Sequence, residues 1–167
     1  MSQYERPNIA AMQGYASGEQ PQDGRSIKLN TNENPYPPSP KVAQALADFA
    51  TEQLRIYPQP DARALRQAVA NHHGLAIENV VITHAGDEAL RLAVTTFVAP
   101  EGVVASTEPT YSLYPVLTQI QGAQMVTQAL EADWSLPADF AASMNQADAQ
   151  LTFVVNPHAP SLSLIHI

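Results

Sequence analysis

Four short apolar runs punctuate the second half of the chain: Val80-Val81-Ile82-Thr83, Val103-Val104-Ala105-Ser106, Met125-Val126 and Leu151-Thr152-Phe153-Val154-Val155. None alternates apolar with polar residues, and each is separated from the next by enough chain for a helix. Strands without that alternation are covered on both faces, and a helical crossover joins parallel neighbours. The spacing therefore predicts an α/β fold with a mostly parallel sheet flanked by helices. The helices fall at Asp87 to about Val98, at Tyr111 to Gln121 with a stop at Gly122, and beyond Pro137. Antiparallel pairing of the 80–83 and 103–106 strands would exclude this architecture.

The first half reads differently. Residues 1–29 are polar and weakly patterned, with Gly14, Gly18, Pro21 and Gly24 as breakers, and are read as an arm. Asn30-Thr31-Asn32-Glu33-Asn34-Pro35-Tyr36-Pro37-Pro38 is expected to be an extended loop, because proline fixes φ and disfavours helix in the residue before it. Ser39 then caps a helix with Pro40 at its first position. Val42, Ala45, Leu46, Phe49 and Ala50 carry a helical period as far as Leu54. A further helix starts at Asp61, with Leu65, Ala68 and Val69 on its apolar face, and Gly74 fits the left-handed position past its end. The segments are thus an arm and Pro-rich loop over 1–38, a helical segment over 39–76, and a sheet-bearing segment over 77–161.

At 167 residues, the chain has room for one domain with a real core. Eight basic against sixteen acidic side chains give a net charge of −8, and no basic stripe is present, which argues against nucleic acid and anionic membranes as partners. Cysteine is absent, so disulfides, thiolate metal sites and a cysteine nucleophile are excluded. The first residues lack the pattern of a signal peptide, and no apolar run approaches the roughly 18 residues of a membrane helix. A soluble, cytoplasmic protein is the default expectation.

Three turns carry chemistry. Thr83-His84-Ala85-Gly86-Asp87-Glu88 joins a strand to a helix N-terminus, whose unpaired amides and partial positive charge suit a phosphate. Taken alone, such a turn is more often a plain βα connection with Asp87 as N-cap. Glu108-Pro109-Thr110-Tyr111 follows the next strand, at the carboxyl edge where open parallel sheets bind ligands. Tyr111 is there either to stack on a flat cofactor or to pack as a core residue with Leu113, Tyr114 and Leu117. Asn156-Pro157-His158-Ala159-Pro160-Ser161 follows the last strand as a rigid turn, which by itself needs no role. His158, and the adjacent His72 and His73, are not read as metal ligands, because no cluster of carboxylates joins them. Together the three loops suggest a phosphorylated planar ligand.

The order of Asn30 to Pro37, Arg55-Ile56-Tyr57-Pro58, Ala85-Gly86-Asp87-Glu88, Pro109-Thr110-Tyr111 and Asn156 to Ser161 resembles the histidinol-phosphate aminotransferases, within the fold-type-I, class I/II aminotransferases. The resemblance covers about residues 27–161. It implies a pyridoxal 5′-phosphate enzyme transferring an amino group between an amino donor, histidinol phosphate, and a 2-oxo acid in histidine biosynthesis, as a homodimer. Carried over by position, it implies that the amides of Gly86 and Asp87 hold the cofactor phosphate and that Tyr111 stacks on the pyridine ring. Tyr57 would reach across a dimer interface to the partner's cofactor phosphate, and Tyr36 would lie near substrate. Where the family often has Gly-Ala-Asp-Glu, this chain has Ala85-Gly86-Asp87-Glu88. Where the wider group has an asparagine for the cofactor's phenolic oxygen, this chain has Ala159, with Asn156 or His158 as substitutes.

After Ser161 the family continues with glycine and more than half of its length, whereas here the sequence reads Leu162-Ser163-Leu164-Ile165-His166-Ile167. Residues 162–167 are therefore expected to be an artefactual tail, or alternatively the product of a frameshift, on a truncated N-terminal part of the fold. The resemblance places the Schiff-base lysine beyond that point, and neither Lys28 nor Lys41 matches it, so no catalytic residue is named and the chain alone is expected to be inactive. Two rival readings remain. One is another enzyme of the same fold, such as an aromatic aminotransferase or a threonine-phosphate decarboxylase. The other is a non-enzymatic βα domain binding a phosphorylated ligand.

Overall fold

The computed structural model describes residues 3–15, 17–22 and 24–164. The chain forms two compact units, one made of residues 1–15 with 83–167 and the other of residues 16–82. That division differs from the sequence boundaries at 38 and 76. Of the 162–167 segment, residues 165–167 lie outside the described residues.

The first unit is built on a three-stranded parallel sheet of order β2-β1-β3, with β1 at Val103–Glu108, β2 at Gln124–Ala129 and β3 at Leu151–Phe153. Central β1 pairs along its whole length with β2, Val103 opposite Gln124 through Glu108 opposite Ala129, and with β3 from Val104 opposite Leu151 to Ser106 opposite Phe153. Val104, Ala105, Ser106 and Thr107 are all fully buried, which explains the lack of polar alternation. On one face Val104 packs with Val94 and Val98 from the region of helix α4 (Ala85–Phe97) and with Leu113 and Leu117 of α5 (Leu113–Gln121). On the other, Ala105 packs with Phe140 and Met144 of α6 (Phe140–Gln146). Each of these larger apolar side chains contributes roughly 1.5–3 kcal/mol by leaving water. Gly122 ends α5 at φ 79°, a left-handed conformation open to a residue without Cβ.

Among the described residues the arm forms a short helix, α1 (Pro7–Ala10), in a stretch read as an irregular arm. Beside it Arg6 donates to the carbonyl of Ile120 at 3.1 Å, and Asn8 donates to that of Gln119 at 2.9 Å. Both cap carbonyls in the last turn of α5, where a helix lacks its own donors.

The second unit carries α2 (Pro40–Ala47), a 3₁₀ turn at Thr51–Arg55, α3 (Arg63–His73) and a short turn at Ile77–Asn79. Ser39 caps α2 by accepting from the Lys41 N–H at 3.3 Å, with Pro40 at the first position as expected. The helix does not run to Leu54. It ends at Asp48, where the turn over 51–55 breaks the period. Helix α3 starts two residues after Asp61, because the Asp61 carboxylate pairs with Arg66 at 3.1 Å instead of capping. Gly74 ends it at φ 67°.

The largest correction concerns 80–83. Val80 has extended backbone, but among the described residues the segment joins no ladder, and Val81 is 77% exposed. An extended run is a strand only through a partner's hydrogen bonds, and none is supplied here. The other bounds shift for local reasons. The helix after Pro137 begins at Phe140 with Asp139 as N-cap, α5 begins at Leu113 rather than Tyr111, and β3 stops at Phe153.

Arg66 holds this second unit together at its centre. Its Nε donates to the carbonyl of Val80 and its Nη2 to that of Ile77, both at 2.8 Å, while Nη1 meets Asp61. Three acceptors in fixed directions suit a planar guanidinium and not an ammonium. Arg66→Ala is expected to destabilise the unit by roughly 2–3 kcal/mol, with Arg66→Lys recovering less than half. Urea midpoints and amide exchange over 77–82 measure both.

Candidate functional site

The carboxyl end of β1 leads into Pro109, Thr110 and Tyr111, and a layer of hydroxyls fixes that turn. The Ser106 hydroxyl lies 2.8 Å from that of Thr110 and donates to the Phe153 carbonyl at 2.9 Å, joining the turn to β3. The Pro109 carbonyl accepts from Thr107 at 3.4 Å and lies 2.9 Å from His158 Nε2. A carbonyl only accepts, so Nε2 of His158 carries a proton. In the neutral ring Nδ1 then accepts from the Ser161 hydroxyl, 2.6 Å away. His158 is fully buried, and Trp134 stacks on it at 6.0 Å. Both ring nitrogens are thus engaged in tying the 156–161 turn to the 109–111 turn, which fits a structural role. Asn156 opens the same turn and is exposed.

Tyr111 is half-buried. Its ring borders the core cluster of Val94, Val104, Leu113 and Leu117 and meets Tyr114 edge-on at 5.7 Å. Its hydroxyl donates to the Asp87 carboxylate at 3.4 Å, so the ring adjoins the N-terminus of α4. On another side Tyr15, from the arm, meets it at 6.5 Å and 64°. The phenol's pKa is pushed up to about 12, first by the hydrogen bond with Tyr15, then by burial and by the Asp87 charge.

Helix α4 begins earlier than expected. Its N-cap is His84, and Asp87 lies in the first turn, so Asp87 is not the cap. Ala85, Gly86 and Asp87 are exposed, and their amides precede the first intrahelical acceptor. A Cβ built on Gly86 would meet nothing within 4 Å, so the space beside the turn is open. Ala85, not Gly86, takes the left-handed conformation at φ 62°. The glycine of this turn stands one place beyond the position that needs it.

Two side chains brace the turn. The Thr83 hydroxyl donates to the Ala85 carbonyl at 2.8 Å. The Glu88 carboxylate accepts the His84 backbone N–H and lies 3.2 Å from the His84 ring. The His84 N–H holds the Glu88 carboxyl below the ordinary carboxylate range, with smaller help from the His84 ring and Arg91.

Gly86, Asp87, Tyr111 and Asn156 therefore belong to one unit, in which the structure joins Asp87 to Tyr111 directly and the 109–111 turn to the 156–161 turn through His158. Tyr36 and Tyr57 belong to the other unit, 79% and 99% exposed. Sequence reasoning missed Tyr15, a lone aromatic in a polar arm, and missed Thr83 and Glu88 as braces. A Glu four residues past the cap was the available signal for the last. Among the described residues no three potential metal ligands converge, and no helix is long and apolar enough to cross a membrane.

Residues 25–163 match the family model of aminotransferase class I and II. The chain is 40% identical over 162 residues to the histidinol-phosphate aminotransferase of Clostridium botulinum (strain Kyoto / Type A2), covering 96% of this chain and 44% of that protein. It is 43% identical over 156 residues to that of Geotalea uraniireducens, covering 93% and 44%. In structure it is similar to the Sinorhizobium meliloti histidinol-phosphate aminotransferase, crystallised with pyridoxal-5′-phosphate. The TM-score is 0.80 at 24% identity, over 96% of this chain and 44% of that one. The chain thus spans less than half the length of these relatives.

Two measurements follow from the site. Exchanging the pair, Ala85→Gly with Gly86→Ala, puts glycine at the left-handed position and a better helix former after it. Each change is expected to stabilise the chain by about 1 kcal/mol, read as a raised urea midpoint. Alkaline titration of tyrosinate absorbance should show Tyr111 ionising near 12, and Tyr15→Phe should move it back toward 10. Because the folded pKa is raised, the stability that neutral Tyr111 contributes is complete below pH 10 and lost as pH rises toward 12.

A match covering residues 25–163, with the same α/β architecture, identifies the chain as a member of the class I and II aminotransferase family.

Proposed function

We propose that this chain carries the phosphate- and ring-binding part of a pyridoxal 5′-phosphate aminotransferase acting on histidinol phosphate and a 2-oxo acid. The observation that carries the reading is the meeting of Tyr111 with the first turn of α4 at Asp87, at the carboxyl edge of a parallel sheet. Names of relatives at 40–43% identity favour histidinol phosphate over other amino donors. In this reading residues 77–161 form the first half of the cofactor-binding domain, and the protein works in the cytoplasm.

The residues fit the group. The amides of Gly86 and Asp87, at the positive end of α4, hold the phosphate, and the open space at Gly86 admits it. The Tyr111 ring, fixed by Tyr114 and by its bond to Asp87, stacks on the pyridine. In this reading Asn156, at the start of the turn braced by His158, bonds the phenolic oxygen. Pyridoxal phosphate, when bound, supplies the electron-accepting ring for amino transfer. The protein's share is to anchor and orient it.

Tyr57, with Phe49, Leu54 and Ile56, forms an exposed apolar stretch in the other unit. We assign that stretch to a homodimer interface, with Tyr57 reaching the partner's cofactor phosphate and Tyr36 near substrate. Lys28 is tied to Thr31 at 2.6 Å and to Glu33, and Lys41 lies in the first turn of α2. Neither serves as the reactive amine in this reading.

Titrating the purified chain with pyridoxal phosphate should give saturable binding, weakened several-fold by Tyr111→Ala and little by Tyr111→Phe, in line with a stacking contact worth about 1 kcal/mol. Borohydride reduction followed by peptide mapping should label neither Lys28 nor Lys41 stoichiometrically. Such labelling, together with turnover of histidinol phosphate, would overturn the reading.

A further inference from the structure

We infer that Thr83 and Glu88 are positioning residues that hold Ala85 in its left-handed conformation, and so set the direction of the Gly86 and Asp87 amides. The inference rests on the proposed phosphate seat for its functional consequence, but not for its conformational content.

The argument starts from the cost at Ala85. At φ 62° its Cβ crowds the following carbonyl, a conformation that glycine adopts freely and alanine avoids. Yet here the glycine is the next residue, and its own φ is not positive. Left to itself, Ala85 would relax to right-handed or extended backbone, and the amides after it would turn with it. Something around the turn must offset that preference.

The bonds on either side of Ala85 have this effect. The Thr83 hydroxyl donates across the turn to the Ala85 carbonyl at 2.8 Å, fixing the peptide that follows the strained residue. The Glu88 carboxylate, from the next turn of α4, accepts the His84 N–H and approaches the His84 ring at 3.2 Å, fixing the residue before it. Rotation about φ of Ala85 moves these two anchors relative to each other, so both bonds cannot survive it. Thr83 is only partly exposed, so its hydroxyl is held close to the turn. In this chain the two polar bonds do what a glycine at 85 would do by lacking a Cβ.

The test separates clamp from cofactor. In isotope-labelled full chain without ligand, the amide-to-Hα coupling and the chemical shifts of Ala85 report its φ. Thr83→Val with Glu88→Ala should move residue 85 out of the left-handed region, whereas Glu88→Gln, which keeps an acceptor for the His84 N–H, should move it little. Adding Ala85→Gly to the double variant should return the turn to its original geometry. Pyridoxal phosphate affinity should fall about tenfold in the double variant, matching the ~1.4 kcal/mol of a left-handed alanine. It should recover to within about threefold once Ala85→Gly is added. A purely structural brace for the helix would give a loss of helix content that Ala85→Gly does not rescue. Unchanged φ in the double variant, or failure of glycine to rescue, overturns the inference whatever the ligand does. If φ responds as expected while no form binds pyridoxal phosphate or inorganic phosphate, the clamp stands and the cofactor reading fails.

Discussion

Strand β1 is the constraint on which the first unit depends. It is paired on both edges, and Val104 to Thr107 are fully buried between two helical layers. Pairing on both sides from Val104 to Ser106 satisfies the backbone where it is most deeply buried. That position also dictates what its side chains can be. Val104 and Ala105 divide between the two apolar clusters, while Ser106 and Thr107, near the carboxyl end, spend their hydroxyls on the turn that follows. The change from methyl groups to hydroxyls along one strand marks the change from core to site.

Rigidity passes from that strand into the loops through polar bonds, not apolar packing. Ser106 joins Thr110 and the Phe153 carbonyl, and Pro109 joins His158, which in turn holds Ser161. Buried polar networks of this kind fix one arrangement because every alternative leaves a donor or acceptor unmatched. Tyr111, at the end of the first turn, inherits the order and carries it to Asp87 on α4. Three elements distant in sequence are thus locked at one edge of the sheet.

What the sequence disclosed and what it withheld divide along physical lines. The strand at 103–108 was legible because burial on both faces removes polar alternation, those at 124–129 and 151–153 because short apolar stretches mark them, and Gly74 and Gly122 because only glycine takes φ near +70° freely. The 80–83 run is at least as apolar as those strands, yet strand formation needs a partner, and composition cannot supply one. Helix α2 was placed by Ser39 and Pro40, but its end at Asp48 was invisible behind Phe49 and Leu54, whose spacing continues a helical period that the backbone abandons. At the site, Gly86, Asp87 and Tyr111 were found as turn residues. The bond between Asp87 and Tyr111, 24 positions apart, and the approach of Tyr15 depend on tertiary folding alone. The left-handed Ala85 was the least legible, because the sequence offers a glycine next door and local propensity would place the bend there.

Asp87 presents a conflict that its surroundings resolve. In the proposed reading a carboxylate beside amides that take up an anion repels the charge those amides attract. The Tyr111 hydroxyl donates to Oδ1, which neutralises part of that charge by hydrogen bonding and gives the side chain a fixed partner. A phenolate there would face the carboxylate without a proton between them, which adds to the bond with Tyr15 and to burial in favouring the protonated phenol. In the proposed reading Tyr111 combines two duties that phenylalanine cannot, a flat face for a ring and a proton for Asp87. Phenylalanine at 111 would keep the face, and the exposed Asp87 carboxylate would exchange the phenol's proton for water.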